Sequence, residues 1–167
     1  MLENKICSFF GHRDIEITDK LYASTTAEIL KSVAFGCRNF YFGGFGDFDE
    51  LCYKIVTKIK NERPDLKIKR FYCVTQERYL RKSSRYFNHD DYDEITYLAP
   101  SFEDWYKSIY FRNCAMIDQS DFIIFYAEKK ENSGAYKAYK YAKKQKGKYI
   151  LNIYKNSDGC SYGDKKS

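Results

Sequence analysis

The chain has no C-x-x-C pair, no regular cysteine spacing and only two histidines, His12 and His89, in 167 residues. This pattern speaks against a zinc framework or a histidine-rich site, and no metal or other cofactor is expected. The six cysteines (Cys7, Cys37, Cys52, Cys73, Cys114 and Cys160) lie mostly in or beside apolar runs, as buried free thiols of a reducing compartment do. No apolar run approaches the roughly 20 residues that span a bilayer. The N-terminal Met1-Leu2-Glu3-Asn4-Lys5 has no long apolar h-region, so no signal peptide and a cytoplasmic location are expected. Tight-hairpin signals are missing between the apolar runs, which argues against an antiparallel sheet.

The length fits one domain, and 44% hydrophobic with 31% charged residues describes a folded, soluble chain. Much of the net charge of +6 sits near the C-terminus, in Lys137, Lys140, Lys143, Lys144, Lys146, Lys148, Lys165 and Lys166. A solvated helix face explains most of these lysines, and a charge of this size does not require nucleic acid. The 17 tyrosines and 13 phenylalanines fall at strand alternation or core-facing helix spacing, so they read mainly as packing.

Apolar runs alternate with helical patterns along the whole chain. Strands are predicted at Ile6–Phe10, Phe40–Phe42, Ile68–Val74, Glu94–Leu98, Phe122–Tyr126 and Tyr149–Ile153. Thr18 or Asp19 caps a first helix that stops at Gly36. A second carries Leu51, Ile55 and Ile59 and ends before Pro64. Further helices run from Phe102 to Ile117 and from about Gly134 to Gln145. The polar, aromatic stretch Gln76–Asp93, with Arg78, Arg81, Lys82 and Arg85, reads as a short helix or a flap. This order predicts an α/β, Rossmann-like, doubly wound and mostly parallel sheet with helices on both faces. One such domain is expected over residues 1–155, followed by a frayed tail over 156–167.

Three segments carry chemistry: Gly43-Gly44-Phe45-Gly46-Asp47-Phe48-Asp49, Arg112-Asn113 and Ser133-Gly134-Ala135. The first and third follow predicted strands and precede helices, where glycine lets backbone N–H groups approach a ligand and the helix N-terminus favours an anion. Gly11-His12-Arg13 follows the first strand in the same way. In a doubly wound sheet such loops share one crevice beyond the strand ends. The competing reading is that the glycines only make tight turns.

Together with Met116-Ile117-Asp118 and Tyr141-Ala142, these segments resemble the SLOG superfamily, the Rossmann-like proteins related to DprA and to the Lonely Guy phosphoribohydrolases. The similarity is greatest to a small bacterial branch of that superfamily and spans Cys7 to Ala142. The resemblance implies a nucleotide or a nucleotide-derived signal as ligand. The chain departs from the branch at Asp47, where glycine is usual, and at Ala135, where threonine is usual. It also lacks the glutamate of the hydrolases after Ser133-Gly134.

Each candidate residue has two readings. Arg13 and Arg112 suit phosphate oxygens or surface ion pairs. Asn113 suits a ribose, a base edge or a loop cap. His12 donates to phosphate, acts as acid–base, or is a satisfied loop histidine. Asp49 accepts ribose hydroxyls or caps the helix that starts there. Gly11, Gly43, Gly44, Gly46, Ser133 and Gly134 shape the binding loops. Asp49, then Asp47, would be catalytic if the chain hydrolyses an N-glycosidic bond. Glu131 stands near the last turn within a charged run. Three functions follow: nucleotide or nucleotide-signal binding, which is favoured; nucleoside monophosphate hydrolysis; and DprA-like DNA binding through the lysine-rich helix and the Arg78–Arg85 cluster. A homodimer or larger assembly is expected from the resemblance and from the helical aromatics Trp105, Tyr106, Tyr110 and Phe111.

Overall fold

Burial with a period of two sets the architecture. In strands β1 (Lys5–Gly11), β2 (Cys37–Phe42) and β5 (Phe122–Tyr126), successive side chains enter opposite cores. Cys7, Phe9, Phe40, Phe42, Phe122 and Ile124 belong to one buried cluster. Phe10, Tyr41, Ile123 and Phe125 belong to the other. Strands buried on both faces require helices on both faces. Helices α1 (Asp19–Phe35), α2 (Asp47–Glu62) and α5 (Ile153–Asn156) close the first cluster with Leu21, Ile29, Leu51, Ile55 and Ile153. Helices α3 (Trp105–Gln119) and α4 (Gly134–Lys143) close the second with Met116, Ile117, Ala138 and Ala142.

These elements come from a computed structural model that describes residues 4–44, 46–75, 91–98 and 104–156. Phe45, Gln76–Asp90 with its four basic residues and His89, Phe102, and the 157–167 tail with Cys160 lie outside the described residues. With β3 (Lys69–Val74), β4 (Glu94–Tyr97) and β6 (Tyr149–Asn152), the sheet has six strands in the order β4-β3-β2-β1-β5-β6. Every neighbouring pair is parallel. The Rossmann-like fold expected from the β–α alternation is the fold observed. The chain steps outward from β1 to β4, then returns to place β5 on the other side of β1. The strand order therefore switches between β1 and β5, where a doubly wound sheet opens a crevice at its carboxyl edge.

Local signals explain most boundaries. Thr18 Oγ1 accepts the Leu21 N–H at 3.0 Å, and Gly36, with φ of 112°, ends α1 by bonding the carbonyls of Ser32 and Val33. The last strand stops at Asn152, one residue before the predicted end at Ile153. The Asn152 side chain accepts the Tyr154 N–H at 3.2 Å and so turns the chain into α5. No helix among the described residues is long and apolar enough to cross a membrane. Among them, no group of three His, Cys, Asp or Glu side chains is placed to hold a metal ion. The five described cysteines are free and buried.

Gly11 ends β1 against α2. A Cβ at this position would lie 2.4 Å from Phe48 Cβ, and Phe48 is itself fully buried. Gly11→Ala is expected to destabilise the fold by about 1–3 kcal/mol through overpacking. Urea unfolding measures this, and an unchanged midpoint would show that the approach of α2 to β1 is not a constraint.

Candidate functional site

Loops leave the carboxyl ends of β1, β2 and β5 side by side. The β1 loop is fixed through its backbone. Arg13 O accepts the Asp47 N–H at 2.8 Å, and Asp47 Oδ2 accepts the Ile15 N–H at 3.1 Å. Gly46, with φ of 103°, sits so close that a Cβ would lie 2.9 Å from Arg13 Cα. Gly46 and Asp47 thus hold the start of α2 against the β1 loop, and neither lines the cleft that these loops form.

The β2–α2 turn is organised around Asp49. Its two carboxylate oxygens accept the N–H groups of Gly43 at 3.3 Å and Gly44 at 3.1 Å. Gly44 has φ of 72°, and a Cβ there would lie 2.2 Å from the Tyr72 ring, so only glycine fits. The glycine amides are therefore occupied within the protein. Asp49 neither caps α2 nor stands free; it reaches back to hold the turn that precedes its own helix. Burial pushes its carboxyl up to about 7, outweighing the positive charge of Arg112 and the two N–H donors.

Arg112, on α3, bridges to this turn. Its Nη1 donates to Gly43 O at 3.1 Å and its Nη2 to Asn113 Oδ1 at 3.0 Å. The residue is only 7% exposed, and its Nε is buried without a hydrogen-bond partner. An orphaned guanidinium N–H is costly.

The β5–α4 loop supplies the open donors. Asn152 clamps the end of β5 by bonding both Ala127 N and Ala127 O, at 3.1 and 2.8 Å. His12 Nε2 accepts the Glu128 N–H at 2.7 Å. That bond needs a lone pair on Nε2, so the proton sits on Nδ1 and is donated to Ser133 Oγ at 3.3 Å. Burial and the Lys130 charge lower the His12 pKa, which keeps the ring neutral. Ser133 also caps α4 by accepting the Tyr136 N–H at 3.2 Å. With both acceptor sites of Oγ used, its own hydrogen is left to donate. Among the described residues, the N–H groups of Gly134 and Ala135 have no partner, as expected for the first turn of a helix. His12 is thus a satisfied loop histidine, and its polarity is opposite to that of a base activating a serine nucleophile.

These loops and α3 enclose a cleft of about 750 Å³. Gly11, His12, Arg13, Gly43, Asp49, Arg112, Asn113, Ser133 and Gly134 all line it. Gly44, Gly46 and Asp47 do not, and Glu131 points to Lys140 at 3.0 Å instead. The sequence reading missed the α3 wall of Asp104, Tyr106, Lys107, Ile109 and Tyr110, as well as Lys137 on α4. Asp104 caps α3 by accepting the Tyr106 N–H at 2.9 Å. The spacing 106, 109, 110, 113 marks one helix face, and following it back from Asn113 would have found this wall. Arg13, Lys107, Arg112 and Lys137 face two carboxyl groups, Asp49 and Asp104, so the cleft favours an anion.

No family model and no curated protein sequence matches the chain. Among solved structures, the fold is similar to that of DNA processing protein A (DprA) from Streptococcus pneumoniae, with a TM-score of 0.58 and 15% identity. The similarity covers 89% of this chain and 50% of that one, so this chain spans half the length of the DprA chain. It is a likeness of fold.

The position of Asp49 gives stability a pH dependence. A carboxyl whose folded pKa is about 7, raised from 3.8, binds its proton more tightly in the native state. Its contribution is fully present below about pH 4 and is lost as pH rises through about 7. In urea unfolding the wild-type midpoint should carry this fall, and Asp49→Asn should lack it. Parallel profiles for the two proteins would remove Asp49 as its source.

Proposed function

We propose that this protein binds a nucleotide or a nucleotide-derived signal in the cleft, as a member of the SLOG superfamily to which its motifs point. One juxtaposition carries this reading. The open first turn of α4, with the Ser133 hydroxyl, lines the same cleft as Arg112, a buried cation whose Nε has no hydrogen-bond partner. A phosphate takes the N–H groups of Gly134 and Ala135 and the Ser133 hydrogen, while Arg13 and Lys137 balance its charge. Arg112 and Asn113 lie deeper, where a ribose or a base edge meets their donors. Asn113 Oδ1 already accepts from Arg112, so its amide NH2 is the group left for the ligand.

The hydrolase reading has one point in its favour, the near-neutral carboxyl of Asp49 in the cleft. Both of its oxygens, however, hold the Gly43–Gly44 turn, and Asp47 holds Ile15. Neither carboxylate is free to attend an anomeric carbon, which favours binding without turnover.

Thermal unfolding with a panel of purine and pyrimidine nucleotides tests both readings. A ligand at about 100 times its dissociation constant should add about 2.7 kcal/mol to stability. Arg13→Ala and Lys137→Ala should each weaken binding about tenfold or less, and Arg112→Lys should weaken it more, because a lysine cannot hold both the Gly43 carbonyl and Asn113. Free base should not accumulate on prolonged incubation; its release by wild type, lost in Asp49→Asn, would establish the hydrolase instead. No shift with any nucleotide would overturn the binding reading.

A further inference from the structure

The cleft does not end at the α4 N-terminus. A second hollow of about 400 Å³ lies between α3 and α4, lined by Tyr110, Lys137, Lys140, Tyr141 and Lys144. It shares Tyr110 and Lys137 with the cleft, so the two adjoin at these side chains. From Lys137 to Lys144 the helix advances about 10 Å, and its cationic row follows that length. Lys140 pairs with Glu131 at 3.0 Å, but among the described residues neither Lys137 nor Lys144 has a carboxylate partner. The Tyr141 ring is held by its hydroxyl, which donates to Asp118 at 2.7 Å. On the facing helix, Tyr106 and Tyr110 stand one turn apart and are 83% and 37% exposed. Two exposed rings on one face give two stacking positions opposite a row of cations.

We propose that the α3–α4 hollow is an outer subsite, and that the ligand is a two-unit nucleotide whose far phosphate and base occupy it. This rests on the nucleotide reading of the cleft. The inner unit places its phosphate at Ser133 and Gly134. The outer unit lies along Lys137, Lys140 and Lys144 and stacks against tyrosine. A mononucleotide would leave the second stacking position and the distal lysines unused. A long single strand would be bound through the same chemistry, but Gly43 and the buried Arg112 line the inner part of the cleft, which suits a ligand with a terminus there.

The test is calorimetric titration at fixed ionic strength with 5′-AMP, 5′-phosphorylated diadenylate, and a 5′-phosphorylated ten-residue adenylate, each repeated with the guanylate series. The dinucleotide should bind at least about tenfold more tightly than the mononucleotide, with no further gain for the ten-mer. Lys144→Glu and Lys140→Ala, both on the protein surface, should reduce the dinucleotide's advantage and leave mononucleotide affinity unchanged. Thermal unfolding of each variant checks that it is folded. Equal affinity for mono- and dinucleotide would overturn the outer subsite while leaving the nucleotide reading intact. Affinity that keeps rising to the ten-mer would overturn it in favour of a nucleic-acid track. No binding by any probe would sink the nucleotide reading and the subsite together.

Discussion

The buried carboxyl of Asp49 is the constraint on which the site depends. It collects the N–H groups of Gly43 and Gly44 and so fixes a turn whose positive φ no larger residue tolerates. The turn in turn presents the Gly43 carbonyl to Arg112, which orients Asn113. One side chain from α2 thereby sets the position of two side chains from α3, more than 60 residues further along the chain. The arrangement is costly, because burial works against the charge of Asp49 and leaves Arg112 Nε unsatisfied. Costs of this kind collect at functional sites, where a ligand is able to offset them.

A second framework, independent of the first, holds the opposite wall. His12 spans from the end of β1 to the β5–α4 loop and satisfies both of its ring nitrogens there. It fixes Ser133 as the cap of α4 and leaves the first amides of that helix facing the cleft. Asn152 holds the base of the same loop. This end of the cleft is thus held by hydrogen bonds within the protein itself. The two frameworks meet because β1 lies between β2 and β5, at the switch in strand order.

The division of labour among the glycines follows from this. In the expected picture the Gly43–Gly44 turn offers amides to an anion. In the fold those amides serve Asp49, and the open amides belong to Gly134 and Ala135. Gly11 is small because Phe48 presses on it, whereas nothing lies within 4 Å of a Cβ at Gly134. A glycine in a strand-to-helix turn therefore carries different meanings at different turns, set by the nearest neighbour in space.

The sequence alone determined the layered architecture. Alternation in β1, β2 and β5 and the helical spacing of Leu51, Ile55 and Ile59 report burial directly, since each depends only on the local period of the backbone. It also determined which loops lie at the carboxyl edge, because strand direction in a parallel sheet follows from chain order. What a given side chain does within those loops was decided by the tertiary structure. Asp47 and Asp49 are two residues apart and chemically identical, yet one pins the β1 loop and the other holds the glycine turn inside the cleft. The α3 wall and the groove beside α4 were likewise invisible in the motifs. They arise where α3 and α4 pack together on one face of the sheet, and the period of each helix marks a face without recording which neighbour that face meets.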